Sequence, residues 1–163
     1  QILYNVPGRT AVDMCNETVL RLADIPNIAG IKDATGDVAR GTQLIQLLSG
    51  KIPVYSGDDE TAYQLILAGA KGNISVTANV LPKQMSELCR LAAAAQEADA
   101  SALNDSLMDL HFNMFVESNP IPVKYALMKM GMIKRGIRLP LTELHNDYHK
   151  QLDEALGKRN LLV

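Results

Sequence analysis

The residue best suited to covalent chemistry is Lys32, which follows the apolar run at residues 28–31. A lysine that closes an apolar strand loses part of its hydration, and desolvation favours the neutral amine over the ammonium ion. A neutral lysine amine can attack a carbonyl carbon and form an imine. A lysine that extends from a strand end into solvent is the alternative, and position alone favours it.

Other polar residues also stand at the ends of short apolar runs. Active-site groups of parallel α/β folds gather at the carboxyl ends of the strands. Besides Lys32, that rule selects Tyr4, Ser56 with Gly57 and Asp58, and Val76 with Thr77. A tyrosine there can relay protons, although a core or interface tyrosine is the simpler interpretation.

Charged residues near these ends have two interpretations each. Arg9, in a Pro-Gly-Arg-Thr loop, can hold a carboxylate or can be a solvated loop arginine. Asp58 and Asp59 can bind a ligand, but they also suit the positive start of a helix. His145 and His149 lie four residues apart without a third metal ligand nearby, which favours a surface helix face over a metal site.

Four short apolar runs in the first half alternate with helical patterns, at residues 2–4, 28–32, 53–56 and 72–76. This β-then-α alternation predicts parallel strands with crossover helices, either in an open doubly wound sheet or in half of a (β/α)8 barrel. Runs that are apolar throughout predict strands buried on both faces. No glycine-rich phosphate loop is present, which disfavours a nucleotide-binding domain.

Helical spacing replaces the strand pattern from about residue 81, and further helices are predicted to begin near residues 120 and 141. We therefore predict two domains: residues 1–80, with four βα units that form the second half of a barrel, and residues 81–163. The latter would hold the last barrel helix and a small all-helical C-terminal domain. Because the chain starts inside an apolar run without Met, we expect sequence upstream of Gln1 and an absent N-terminal half.

The overall composition restricts the function classes. The 163 residues are 47% hydrophobic and 21% charged, with a net charge of −2. This balance offers no electrostatic reason to expect nucleic acid or a membrane surface as a partner. The two cysteines, Cys15 and Cys89, lack metal-ligand spacing, and isolated thiols suit a reducing compartment. These features predict a cytoplasmic protein.

Five segments together resemble the dihydrodipicolinate synthase family of pyruvate-dependent class I aldolases. In chain order they are Tyr4-Asn5-Val6-Pro7-Gly8-Arg9-Thr10, Gly30-Ile31-Lys32-Asp33-Ala34-Thr35-Gly36-Asp37, Ser56-Gly57-Asp58-Asp59, Gly72-Asn73-Ile74-Ser75-Val76-Thr77-Ala78-Asn79 and Asn119-Pro120-Ile121-Pro122-Val123-Lys124. The first resembles the tyrosine motif of the family and the second resembles its Schiff-base lysine motif. The resemblance covers nearly the whole chain.

The resemblance implies a (β/α)8 barrel with a C-terminal helical domain, usually assembled as a homotetramer of two tight dimers. It implies that pyruvate condenses with aspartate semialdehyde in lysine and diaminopimelate biosynthesis, without an organic cofactor or a metal. By analogy, Lys32 would form the imine and Tyr4 would relay protons. Arg9 would hold the semialdehyde carboxylate, and backbone groups near Gly57 and Ile74 would line the pyruvate pocket.

Related lyases for N-acetylneuraminate and ketodeoxygluconate share the lysine and the tyrosine, so Arg9 is the residue that favours the synthase. The family also uses relay residues from the first half of the barrel, and that half is absent from this sequence. We therefore expect the 163 residues alone to be catalytically inactive. A non-catalytic half-barrel remains the alternative.

Overall fold

The computed structural model describes residues 1–163 and contains a parallel sheet of three short strands. These are β1 (Ile2–Asn5), β2 (Gly30–Asp33) and β3 (Val54–Ser56), in the spatial order β1-β2-β3. Tyr4 lies opposite Lys32, and Lys32 lies opposite Tyr55. The register therefore puts the carboxyl ends of all three strands at one edge of the sheet.

Helices connect these strands, as parallel pairing requires. α1 (Pro7–Thr10) and α2 (Asn16–Leu22) lie between β1 and β2, α3 (Val38–Leu48) lies between β2 and β3, and α4 (Ala62–Leu67) follows β3. The side chain of Asp37 caps α3 by accepting a hydrogen bond from the backbone N–H of Arg40 at 3.0 Å. The predicted Pro-Gly-Arg-Thr loop is the single-turn helix α1. The predicted βα alternation is confirmed for the first three strands.

The fourth predicted strand, at residues 72–76, is wrong as an extended element. Only one isolated parallel bridge joins Ser56 to Asn73. Gly72 has φ +154, which interrupts regular strand geometry at the start of the segment. A 3₁₀ helix, Thr77–Asn79, then begins within three residues of Ile74. The segment follows the expected parallel direction but contributes one residue of pairing.

Burial on both faces is found for β2 and not for β1. Ile31 is 1% exposed, whereas Ile2 is 52% and Tyr4 is 48% exposed. The difference follows from the strand order, because β1 has a neighbour on only one side. The uniformly apolar character of residues 2–4 therefore predicted more burial than the chain provides.

The second half is helical, as predicted. Its helices are α5 (Pro82–Ala93), α6 (Glu97–Asn113), α7 (Ile121–Lys129) and α8 (Asn146–Gly157). The start of α7 lies next to residue 120 as expected, but α8 begins five residues beyond the predicted position 141. Residues 130–145 form turns and irregular backbone. No helix has both the length and the hydropathy required to cross a membrane.

The chain divides into two compact units, each with its own buried apolar side chains. The first unit comprises residues 1–75 and 86–104, with Ile31, Leu44 and Val54 among its buried residues. The second unit comprises residues 76–85 and 105–163. Leu110, Met114, Ala126, Leu152 and Leu156 are buried there. The predicted division into residues 1–80 and 81–163 stays a prediction.

Candidate functional site

The amino group of Lys32 lies over the aromatic ring of Tyr4. Its Nζ is 4.3 Å from the ring centroid, within the range of a cation–π contact. The contact follows directly from the register, because Tyr4 and Lys32 are partners on adjacent strands. It joins Nζ to the face of the ring, and no hydrogen bond links Nζ to the Tyr4 hydroxyl. The two predicted catalytic side chains are therefore brought together.

Gly57 borders the side chain of Lys32 on its other side. A Cβ placed on Gly57 would lie 2.5 Å from Lys32 Cε and 3.0 Å from Lys32 Cγ. Real Cβ atoms essentially never approach another atom to 2.5 Å, so a side chain at position 57 would require its neighbours, Lys32 first, to shift. The Gly57 N–H also donates to the backbone oxygen of Asp33 at 2.7 Å. Because Gly57 has no side chain, there is room beside it for the side chain of Lys32.

Ile74 directly follows Asn73, the residue that forms the single bridge to Ser56 described above. Its N–H donates to the backbone oxygen of Ser56 at 2.8 Å, and Ser56 directly precedes Gly57. The Ile74 side chain is 41% exposed. The backbone groups that the resemblance assigned to a pyruvate pocket therefore come from adjacent segments of one sheet edge.

Arg9 lies in α1, directly after the carboxyl end of β1. Its backbone N–H donates to the carbonyl of Val6 at 2.9 Å, which belongs to the turn that begins this helix. The residue is exposed. The predicted role of Arg9 as a carboxylate contact stays a prediction.

Asp58 stabilises the turn that precedes α4. Its carboxylate accepts hydrogen bonds from the Thr61 N–H at 3.2 Å and the Thr61 hydroxyl at 2.6 Å, just before α4. Asp59 is 2% exposed and accepts a hydrogen bond from the Asn73 amide at 2.7 Å. Burial raises the pKa of the neighbouring Glu60, and the charges of Asp58 and Asp59 add to that rise. The two aspartates thus organise the turn after β3.

The two histidines do not form a metal pair. His145 is the N-cap of α8, and its Nδ1 accepts from the Asp147 N–H at 3.4 Å. His149 Nε2 lies 3.0 Å from the carbonyl oxygen of Leu144. Because a carbonyl can only accept, Nε2 carries the hydrogen and is not available as a ligand. No group of three or more His, Cys, Asp or Glu side chains is arranged to hold a metal ion.

Sequence reasoning missed a polar cluster that fixes the segment between β1 and α2. The Asn5 amide donates to Asp13 at 2.9 Å and accepts from the Met14 N–H at 3.0 Å. Arg40 donates to Asp13 at 2.7 Å and to the Met14 carbonyl at 2.7 Å. These hydrogen bonds, with that from Arg40 the largest cause, hold the pKa of Asp13 below its ordinary value. The only sequence signal for this cluster was Asn5, a polar residue directly after the apolar run that ends at Tyr4.

Thr77, selected above by its position after a strand, is fully buried within the second unit. Its hydroxyl oxygen lies 2.8 Å from Nδ1 of His111, which is also fully buried. Nothing in the sequence pattern indicated His111, because its partner is 34 residues away.

Comparison with known proteins shows the family to which the chain belongs. The model of the dihydrodipicolinate synthetase family matches residues 1–159. The chain belongs to this family. Its relatives include a 4-hydroxy-tetrahydrodipicolinate synthase of Marinobacter nauticus, 62% identical over 162 residues, which cover 99% of this chain and 56% of that protein. The corresponding enzyme of Pseudomonas putida is 55% identical over 163 residues.

Solved structures of dihydrodipicolinate synthases also match this chain. The chloride-inhibited dihydrodipicolinate synthase of Acinetobacter baumannii, crystallised with pyruvate, superposes with a TM-score of 0.96 at 60% identity. The match covers 99% of this chain and 55% of that one. The chain therefore spans about half the length of the relatives it matches. The predicted fold class, half of a (β/α)8 barrel followed by helices, is confirmed.

Proposed function

We propose that this chain carries the imine-forming site of a 4-hydroxy-tetrahydrodipicolinate synthase. The amine of Lys32 would attack the carbonyl carbon of pyruvate, and loss of water would leave a carbon–nitrogen double bond. Loss of a methyl proton then gives an enamine, whose carbon attacks the aldehyde carbon of aspartate semialdehyde. The protonated imine accepts the electron pair when the methyl proton leaves, so we propose no organic cofactor and no metal for this chemistry.

The observation that carries the proposal is the placement of Lys32 Nζ at 4.3 Å from the Tyr4 ring centroid, with Gly57 leaving room beside it. A cation over a ring face is stabilised by the ring quadrupole. Only a neutral amine attacks a carbonyl carbon, so a proton must leave Nζ before attack. We assign the relay of that proton to the Tyr4 hydroxyl, which would have to turn towards Nζ when substrate enters.

Substrate recognition is assigned to three further residues. Backbone groups at Gly57 and Ile74 would contact pyruvate, because both belong to the edge that Lys32 reaches. The guanidinium of Arg9 would hold the carboxylate of the semialdehyde, since a planar fork of N–H groups matches a carboxylate. Arg9 distinguishes this proposal from a lyase acting on N-acetylneuraminate or ketodeoxygluconate.

We make two further proposals about the whole protein, the first from its family membership and the second from its cysteines. We propose that it assembles as a homotetramer of two dimers, which sedimentation of the full-length enzyme would test. We also place it in the cytoplasm, because Cys15 and Cys89 are separate free thiols.

The test of the imine site is borohydride trapping. The purified chain is incubated with pyruvate and sodium borohydride, and its mass is measured intact and after digestion. We expect one reduced pyruvyl adduct, on Lys32. Lys32→Ala should carry none, whereas Lys150→Ala, which removes an exposed lysine of α8, should be trapped as the parent chain is. An adduct on a different lysine, or equal trapping of Lys32→Ala, would show that the nucleophile is misassigned.

A further inference from the structure

The second unit contains a cavity of about 270 Å³ that the proposed chemistry does not use. The cavity is lined by residues of helix α7, by the irregular segment at residues 135–144 and by His149 of α8. This volume is just below the range of drug-sized sites, which runs from roughly 300 to 1,000 Å³. The cavity therefore suits a compact organic molecule.

Most of the wall is apolar. Ile121 and Leu144 line it and are 8% and 4% exposed, and Met128 and Ile137 complete the apolar surface. Small-molecule sites typically combine such a surface with a few polar groups that fix orientation. The apolar walls favour a ligand with a hydrocarbon or aromatic body.

Two flat rings give the cavity a rigid side. Tyr125 and His149 stack with centroids 4.6 Å apart and planes at 23°. The Tyr125 hydroxyl donates to Asp153 at 3.1 Å, and burial together with that carboxylate raises the pKa of Tyr125 to about 12. His149 is fixed by its bond to the Leu144 carbonyl. Because both rings are held by hydrogen bonds, the surface they offer is preformed.

Three cationic side chains line the cavity, against a single lining carboxylate, that of Glu143. Arg135 forms hydrogen bonds of 2.8 and 3.0 Å to Glu143, and Lys129 donates to Asp153 at 3.0 Å. The ammonium group of the third cation, Lys124, has no hydrogen bond and no ion pair. Lys124 is half-buried on α7. One positive charge of the wall is thus left without a counter-charge.

We propose that this cavity binds a small monocarboxylate with an apolar body, with its carboxylate on Lys124 and its body against Tyr125 and Met128. One uncompensated cation matches one carboxylate, and a partly desolvated pair is stronger than a solvated one. A phosphate would need more charge than Lys124 alone supplies. The site shares no residue with the proposed imine chemistry, so it stands or falls independently of it.

Benzoate is the probe for this site, and benzamide is its neutral analogue of similar shape. Binding to the full 163-residue chain is measured by saturation-transfer NMR with titration to a dissociation constant. We expect benzoate to bind at least tenfold more tightly than benzamide. Lys124→Gln should weaken benzoate binding at least tenfold, while Lys150→Gln on α8 and Lys32→Ala should leave it within twofold.

A second variant tests the location by volume. Ile137→Trp adds bulk to the loop wall and introduces the only tryptophan of a chain that has none. Blue-shifted emission would show that the new ring is buried in the cavity, and benzoate binding should then be lost. Unchanged affinity in Lys124→Gln, equal binding of benzamide, or retained binding beside a buried indole ring would each overturn the proposal. Absence of saturable benzoate binding would also overturn it.

Discussion

At the scale of single residues, the site depends as much on an absent side chain as on a present one. The side chain of Lys32 can keep its position beside residue 57 only because Gly57 has no Cβ. The lysine itself could be selected from its position after an apolar run together with the resemblance of its motif to the Schiff-base lysine motif of the family. The role of Gly57 could not, because the clearance is set by two strands that are remote from each other in the chain.

We expect Gly57→Ala to slow pyruvate trapping at Lys32 by at least tenfold, which corresponds to about 1.4 kcal/mol. The new methyl carbon would lie only 2.5 Å from Lys32 Cε, so we expect the lysine side chain to shift and its amine to move away from Tyr4. Rates of borohydride trapping at several pyruvate concentrations measure the effect. Gly157→Ala, where an added Cβ would meet its nearest atom at 3.7 Å, is the control. Equal trapping of both variants would contradict this account of Gly57.

Also at the residue scale, Tyr4→Phe separates the two roles of the tyrosine. The phenylalanine ring retains the cation–π surface but removes the hydroxyl. If the hydroxyl relays protons, trapping should slow by about 10²-fold, the lower end for general acid–base catalysis. Tyr55→Phe, on the strand at the other side of Lys32, is the matched control. A Tyr4→Phe chain trapped at the parent rate would restrict Tyr4 to holding the lysine.

At the scale of elements, buried polar side chains fix the connections that place the strand ends. Asn5 is 4% exposed and satisfies the backbone of Met14, and so ties the segment after α1 to β1. The strands and helices themselves follow from apolar spacing. Their connections depend on which amide or carboxylate reaches which backbone group, and that is decided only on folding.

Asn5→Ala should therefore lower the free energy of unfolding by roughly 1–3 kcal/mol, because it leaves a Met14 backbone group without its partner. Urea unfolding followed by circular dichroism measures the change. Asn27→Ala, at an exposed position, should stay within about 0.5 kcal/mol of the parent. A similar small change in both variants would mean that water replaces the Asn5 amide.

An ion pair of the second unit predicts a pH dependence. Hydrogen bonding from Arg159 holds the pKa of Asp109 below its ordinary value of 3.8. A carboxyl whose pKa is lowered on folding contributes stability above that ordinary value, and the contribution disappears as pH falls through the lowered one. Asp109 is 36% exposed at its side chain, so solvent screening limits the contribution to about 1 kcal/mol.

Between neutral and acidic pH, the free energy of unfolding of Asp109→Asn should therefore depend less on pH than that of the parent chain. The two free energies should converge at the acidic end. Asp105→Asn, on the same helix α6, is the control and should follow the parent chain. If Asp109→Asn differed from the parent by the same amount at every pH, packing rather than charge would explain the pair.

At the scale of the whole molecule, the unpaired strand edges of the sheet are the feature that bears on catalytic activity. The sheet has three strands and one further bridge, and β1 pairs on one side only. The chain also spans about half the length of its relatives. A barrel that closes on itself has no free edge, whereas unpaired strand edges promote association with other chains.

We therefore expect the 163 residues alone to give no measurable turnover of pyruvate with aspartate semialdehyde, even if Lys32 can be trapped. A coupled assay of product formation tests this, with the full-length Marinobacter nauticus enzyme as the positive control. Measurable turnover by the chain alone would refute the expectation.

The sequence by itself determined the parallel βα order and the helical second half, because both depend on the periodicity of neighbouring residues. The choice of Lys32, Tyr4 and Arg9 also needed the resemblance of their motifs to the family, because position after an apolar run leaves simpler interpretations open. Tertiary structure alone decided the contact of Lys32 with Tyr4, the clearance at Gly57 and the shortened fourth strand. It also decided the unmatched charge of Lys124. These features depend on distances between segments remote in the chain, and spacing along one strand or helix carries no information about such distances.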